Sequence, residues 1–261
     1  MRKKLAYGLF VLILATMSCA MDQEMTKRAN LHKQKGIYLL REGLREGIPE
    51  GQREISFRKA LKEFKEGEKL EPDDDEIHFH LGVAYGALRK FDLSIEHYKK
   101  ALEINKDYSM AYNNLGTVYL EQKKWDESIT MFEKALENIF YQTPEIAYYN
   151  MGWAYFQKRD LPRAVENYKK AIELVPDYYM ARYNLSRVYF LMGDYKNALK
   201  QCNMNIKINP KAPLAYDELG KIYLQMNKKQ EAYEAFKKVY ESVPDTEMGS
   251  NAKRHMDMLR P

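Results

Sequence analysis

Apolar side chains recur along most of the chain at spacings of three and four residues, the period of a helix with one buried face. In the stretch 111–123, Leu115 directly precedes Gly116, and Tyr119 follows that glycine by three positions. The same trio of a large apolar residue, a small residue and a tyrosine returns in later stretches at nearly constant intervals. The pattern therefore predicts a series of similar helices.

Three columns of residues run in phase through these helices. A small residue of the first helix stands at Gly36, Gly82, Gly116, Gly152, Ser186 and Gly220. A small residue of the second helix stands at Ala60, Ser94, Ser128, Ala164, Ala198 and Ala232. A large residue follows it at Phe64, Tyr98, Phe132, Tyr168, Cys202 and Phe236, where Cys202 is the exception. Small residues let two antiparallel helices approach closely, and a period near 34 with this arrangement is typical of the tetratricopeptide repeat.

The columns predict an all-α fold, a right-handed superhelical solenoid of about six tetratricopeptide repeats with a C-terminal capping helix. The predicted repeats are residues 29–74, 75–108, 109–144, 145–178, 179–212 and 213–246, and the cap is 247–261. We expect Met256 and Met258 to cover the exposed end of the last repeat. The first repeat carries about twelve extra residues near 44–54, where Gly47, Pro49 and Gly51 predict a loop.

The first 18 residues resemble a signal peptide. Arg2, Lys3 and Lys4 precede an apolar stretch of 13 residues, which is too short to span a bilayer, since a span needs about 20. The stretch ends in Thr16-Met17-Ser18-Cys19, which resembles a bacterial lipobox. That resemblance implies an acylated Cys19, a lipid-anchored segment 19–28 and, with Ala20 next, an outer-membrane location facing the periplasm. The alternative is an ordinary signal peptide cut near Ala20.

Composition adds little to this picture. The chain has 42 Lys and Arg against 37 Asp and Glu, a net charge of +5, and loss of the three basic residues of the signal leaves +2. This balance gives no electrostatic reason to expect nucleic acid binding. Of the two cysteines, Cys202 occupies the third column and is expected to be a small buried residue.

No catalytic constellation is present in the sequence, and we expect a non-enzymatic protein without cofactors. His78 and His80 lie two positions apart, so a helix would place them on different faces. His97 belongs to the second helix of the same repeat, and we expect no metal site from these histidines.

The binding surface is expected on the inner face, which the first helices of such repeats line. Asn114, Asn150 and Asn184 stand two residues before the small residue of the first column. An amide donates and accepts hydrogen bonds, so it can pair with any peptide backbone. Aromatic residues and one arginine lie beside them, at Tyr149, Trp153, Phe156, Tyr183, Arg187 and Phe190. Such residues are common interface anchors. The alternative is that the asparagines follow the repeat consensus and the aromatic residues pack between repeats.

Residues 111–156 carry features more specific than the repeat. They include Asn113-Asn114-Leu115-Gly116, a two-residue insertion with Tyr141, Thr143 and Pro144, and Asn150-Met151-Gly152. This segment resembles the type IV pilus biogenesis lipoproteins of the PilF, PilW and Tgl family. The chain departs from that pattern in its long first repeat and in the fifth, which has Ser186, Cys202 and Asn205.

The resemblance implies a pilotin, a monomeric outer-membrane lipoprotein that binds secretin subunits and promotes their membrane localisation and multimerisation. The runner-up hypothesis is another periplasmic lipoprotein adaptor, for example one that recruits cell-wall enzymes.

Overall fold

The computed structural model describes the backbone of residues 2–259 and the side chains of residues 20–259. Within these limits the chain forms thirteen α-helices and no strand. They are α1 (Arg2–Leu44), α2 (Glu50–Leu70), α3 (Asp75–Ala87), α4 (Phe91–Ile104), α5 (Ser109–Glu121), α6 (Trp125–Glu137), α7 (Pro144–Gln157), α8 (Leu161–Leu174), α9 (Tyr179–Leu191), α10 (Tyr195–Ile208), α11 (Pro213–Gln225), α12 (Lys229–Ser242) and α13 (Glu247–Leu259).

The chain divides into two compact units, Met1–Gln122 and Lys123–Pro261. In the first unit α1 pairs with α2 and α3 pairs with α4, and each helix after α2 also packs on the one before it. In the second unit the antiparallel pairs are α7 with α8, α9 with α10, and α11 with α12, while α13 packs on α12. Each unit is therefore a stack of helical hairpins, and the all-α prediction is confirmed.

The turns inside these hairpins share one geometry. Arg89, Arg159 and Asn227 have positive φ angles of 56°, 64° and 58°, and Gly193 has 76° in the equivalent place. The next residue donates its backbone N–H to the carbonyl five residues earlier, as in Asp160 to Tyr155 at 2.9 Å. This is a Schellman motif, which normally favours glycine at the left-handed residue. Only one of these four turns has the glycine.

The small residue of the first column lies directly against the large residue of the third. A Cβ atom added to Gly152 would lie 2.7 Å from Cδ1 of Tyr168, and one added to Gly82 would lie 2.6 Å from Cε1 of Tyr98. In the fifth repeat the pair is Ser186 with Cys202, and Ser186 Oγ lies 3.1 Å from Cys202 Sγ. The smaller cysteine leaves room for the serine hydroxyl.

The prediction of a loop near residues 44–54 is wrong for residues 50–54, which are helical. Helix α1 ends at Leu44 and α2 begins at Glu50, so the connection is residues 45–49 and Gly51 lies in the first turn of α2. Phe57 is buried against Gly43, where an added Cβ would lie 2.6 Å from the ring. The insertion therefore lengthens both helices of the first hairpin, because their extra turns pack on each other.

Helix α13 covers the last hairpin with one of the two predicted methionines. Met256 is 7% exposed and packs with Phe236 and Val239, whereas Met258 is 77% exposed. The expectation for Met258 is therefore wrong, since it lies on the solvent side of the helix.

The predicted signal peptide and the Cys19 side chain lie outside the part of the chain whose side chains are described. In the described part, no helix combines the length and apolar character that crossing a membrane requires.

Candidate partner-binding surface

The first helices of three successive hairpins, α7, α9 and α11, lie next to one another in the second unit, since α9 contacts both of the others. Positions 34 residues apart fall in line across them. Trp153, Arg187 and Lys221 form one such column, and Asn150, Asn184 and Glu218 form another. The predicted surface residues of this unit therefore lie in columns across α7 and α9, which continue on α11.

Four of the predicted residues form one connected strip, which we call the aromatic strip: Trp153, Phe156, Tyr183 and Arg187. Trp153 stacks on Phe156 with ring centroids 5.6 Å apart and planes 25° apart. The Arg187 guanidinium lies 5.4 Å from the Phe156 ring and 5.7 Å from the Tyr183 ring. All four residues are half-buried. Because an arginine between two rings is held by cation–π attraction on both sides, the strip is preorganised.

Tyr149 and Asn184 lie beside the aromatic strip and are hydrogen-bonded to each other. Asn184 is 5% exposed, and its Nδ2 donates to the Tyr149 hydroxyl over 3.2 Å. The Tyr149 ring packs against Tyr168 and Tyr178, and burial raises the pKa of Tyr149. The amide of Asn184 is therefore already engaged with the preceding repeat, whereas Asn150 is half-buried on α7. The predicted asparagines are not equally exposed.

Two further predicted residues lie apart from the strip. Phe190 packs against Tyr195 of α10, with ring centroids 5.8 Å apart. Asn114 belongs to the first unit, where it is half-buried on α5 beside Tyr98. There the Asn114 side chain opposes the rise in the pKa of Tyr98 that burial causes.

The strip continues on α11 into a charged group that sequence reasoning missed: Asp217, Glu218 and Lys221. Lys221 Nζ donates to Asp217 Oδ2 over 2.5 Å, and both charges lie close enough to Tyr183 to act on it. Glu218 is only 4% exposed. The sequence could have indicated this group, because Glu218 stands two residues before Gly220, in the column that holds Asn150 and Asn184.

Burial controls the electrostatics of this group. Desolvation raises the pKa of Glu218, while the Lys221 and Arg187 charges pull it down and Asp217 adds to the rise. Beyond it, a hollow of about 470 Å³ opens between α11 and α13, lined by Asp217, Lys221, His255 and Met258 among others. The surface therefore runs from aromatic on α7 and α9 to charged on α11.

Two substitutions in the fifth repeat are explained by their surroundings. Cys202 is 1% exposed, and burial raises the pKa of its thiol to about 12, so the expectation of a small buried residue is confirmed. Asn205 is also 1% exposed, and its Nδ2 donates to the Tyr179 carbonyl over 3.1 Å. A buried amide needs hydrogen-bond partners. That of Asn205 has one at its nitrogen, whereas its buried Oδ1 has none among the described residues.

Solved structures with the same fold include three informative ones. PilW, described as a widely conserved type IV pilus biogenesis factor, has a TM-score of 0.74 and 21% identity, covering 86% of this chain and 98% of its own. PilF of Pseudomonas aeruginosa has a TM-score of 0.72 and 15% identity, covering 88% and 99%. YrrB, described as having an unusual peptide-binding site, has a TM-score of 0.60 and 22% identity, covering 73% and 97%. At these identities the likeness shows the fold.

Comparison with curated protein sequences gives no significant match. Sequence models of the tetratricopeptide repeat match residues 73–139, 107–177, 149–213 and 214–246. These matches cover residues 73–246 without a gap, which is well over half of the chain. The chain belongs to the tetratricopeptide repeat family.

Proposed function

We propose that this protein is a non-enzymatic outer-membrane lipoprotein that binds secretin subunits and promotes their localisation and multimerisation for type IV pilus assembly. The observation that carries the proposal is the full-length likeness to two pilus proteins, which align over 98% and 99% of their own chains. The resemblance of residues 111–156 and the lipobox-like end of the signal peptide support the same assignment.

The aromatic strip is the proposed docking surface for a secretin segment. Aromatic side chains and arginine are enriched among the residues that dominate interface energies. Here Trp153, Phe156, Tyr183 and Arg187 are already fixed against one another, so binding costs little side-chain ordering. A lipid anchor adds to this by holding the surface at the membrane, which raises its effective concentration near a membrane-bound partner.

The decisive experiment is a deletion strain assayed for heat-stable secretin multimers. Loss of the multimers, restored by the wild-type gene, is the expected result. Wild-type amounts of multimer in the deletion strain would remove the pilotin assignment and favour a different periplasmic adaptor.

The anchor is tested separately with Cys19→Ser. Without the thiol no lipid can be attached, so the variant is expected to leave the membrane fraction. A variant that still sediments with the outer membrane as the wild type does would exclude the lipid anchor.

The docking surface is tested with Trp153→Ala and Tyr183→Ala, each measured for binding to purified secretin fragments. We expect at least tenfold weaker binding, which corresponds to about 1.4 kcal/mol. Phe140→Ala is the matched control, because Phe140 is an aromatic residue of the same unit, 76% exposed and outside the strip. Circular dichroism must show that the variants are folded. Unchanged binding in folded strip variants would place the partner elsewhere.

A further inference from the structure

A buried polar cluster in the first unit joins three helices: Glu68 of α2, His78 of α3 and His97 of α4. The Nδ1 atoms of the two histidines lie 3.1 Å apart, and Glu68 Oε1 lies 3.8 Å from His78 Nδ1. His78 is 4% and His97 6% exposed, while the Glu68 side chain is 28% exposed. One ligand atom from each residue lies within 4.8 Å of the other two.

The hydrogen bonding of His78 fixes which of its nitrogens is free. His78 Nε2 lies 2.7 Å from the Pro72 carbonyl oxygen, which can only accept, so Nε2 donates. In the neutral ring Nδ1 therefore carries the lone pair and points at His97. A histidine that ligates a metal usually donates its other ring N–H to a carbonyl or carboxylate in this way.

The spacing of the two histidines suits a tetrahedral ion. Zinc binds imidazole nitrogen at about 2.0 Å, and a tetrahedral arrangement then sets two nitrogens about 3.3 Å apart. The observed separation is 3.1 Å. The Glu68 side chain is 28% exposed, so an ion can reach the cluster from the side of this residue.

The repeat pattern shows that Glu68 is out of place for packing alone. The equivalent positions of the later repeats are apolar or aromatic: Leu102, Leu136, Ile172, Ile206 and Tyr240. An acid in that column loses apolar burial, and two histidines lie opposite it. His80 is not part of the cluster, since its ring stacks on Phe64 with centroids 5.5 Å apart.

We infer that Glu68, His78 and His97 form a Zn²⁺ site that ties the second helix of the first hairpin to the second hairpin. Two nitrogens and one carboxylate oxygen are ligands that zinc accepts, and a water molecule completes the tetrahedron. Because the three ligands come from three helices, the ion stabilises the packing of the first unit, in which they all lie.

A hydrogen bond from His97 to His78 would satisfy the same two nitrogens without a metal, and cobalt binding separates the two arrangements. The purified full chain, kept in mild detergent and stripped with a chelator, is titrated with Co²⁺. One Co²⁺ per chain with the intense visible bands of tetrahedral coordination, displaced by Zn²⁺, is the expected result. Zn²⁺ should also raise the melting temperature of the stripped protein.

The location is tested with Glu68→Gln and His97→Gln, each with circular dichroism to show that the helices are intact. Each is expected to weaken Zn²⁺ binding at least tenfold, because even partners outside the ligand set cost 10–100-fold. His80→Gln is the control, because His80 lies on α3 with His78 but outside the cluster. This variant should bind Zn²⁺ as the wild type does. Absence of tetrahedral Co²⁺ bands in the wild type, or full binding in the folded Glu68→Gln and His97→Gln variants, would overturn the site.

Discussion

Replacing Gly152 with alanine tests the packing that the repeat columns impose. The added Cβ would lie 2.7, 2.8 and 3.0 Å from Cδ1, Cε1 and Cγ of Tyr168, a fully buried ring. Overpacking of this kind costs up to about 3 kcal/mol. Alanine regains about 1 kcal/mol of helix propensity over glycine. The expected net loss is therefore up to about 2 kcal/mol, which corresponds to a fall in melting temperature of up to roughly 4–8 °C for a protein of this size.

Urea unfolding of the full chain in detergent, followed by circular dichroism and tryptophan fluorescence, measures this loss. Both tryptophans, Trp125 and Trp153, lie in the same unit as the substitution. Gly51→Ala is the control, because nothing lies within 4 Å of its added Cβ, and it should gain about 0.4–1 kcal/mol. A Gly152→Ala protein at least as stable as the wild type would refute the packing argument.

The fifth repeat supplies the converse test. There Ser186 occupies the glycine position, and Cys202 leaves the space that a ring fills in the other repeats. Cys202→Tyr alone is expected to destabilise the protein. Adding Ser186→Gly should recover about 0.5–3 kcal/mol, the range over which contacting residues couple. Additive effects in this double-mutant cycle would show that the two columns do not pack on each other.

Three further outcomes follow from single side chains. The Cys202 thiol, with its pKa raised to about 12 by burial, should not react with a thiol reagent in the folded protein but should react fully in urea; rapid native labelling would contradict its burial. Because burial raises the pKa of Glu218 in the folded state, its contribution to stability is full below its unfolded pKa and is lost as pH rises. Glu218→Gln should thus raise the melting temperature at pH 7 but not at pH 4; an equal change at both would exclude this cause. Arg159→Gly should raise the free energy of unfolding by about 1 kcal/mol, and the urea midpoint with it, since Arg159 has φ 64° and a left-handed residue other than glycine costs about 1–2 kcal/mol. An unchanged midpoint would show no strain there.

The core could be predicted from the sequence because its packing constraint recurs in every repeat. The residue at the Gly152 position must be small because the residue at the Tyr168 position is large and packs against it. The two columns are therefore visible in a single chain. The Glu68 cluster could not be predicted as readily, because it joins helices of two repeats and occurs once. The sequence shows only that Glu68 is an acid in an otherwise apolar column. That observation indicates a site only once the structure places His78 and His97 opposite it. The sequence predicted a loop at residues 50–54 because of Gly51. The helix forms there because a first turn tolerates glycine and because Phe57, one turn further on, packs against Gly43.

The proposed docking surface differs from the core in that its columns change chemistry from one repeat to the next. The column of Trp153 continues as Arg187 and Lys221, and the column of Asn150 ends in Glu218. Packing does not require these changes, because the hairpins are alike on either side of them. A segment lying across α7, α9 and α11 would meet aromatic rings first and a charged group last, whose most exposed member is Lys221. The surface therefore has a direction, because its two ends offer different contacts to a bound segment.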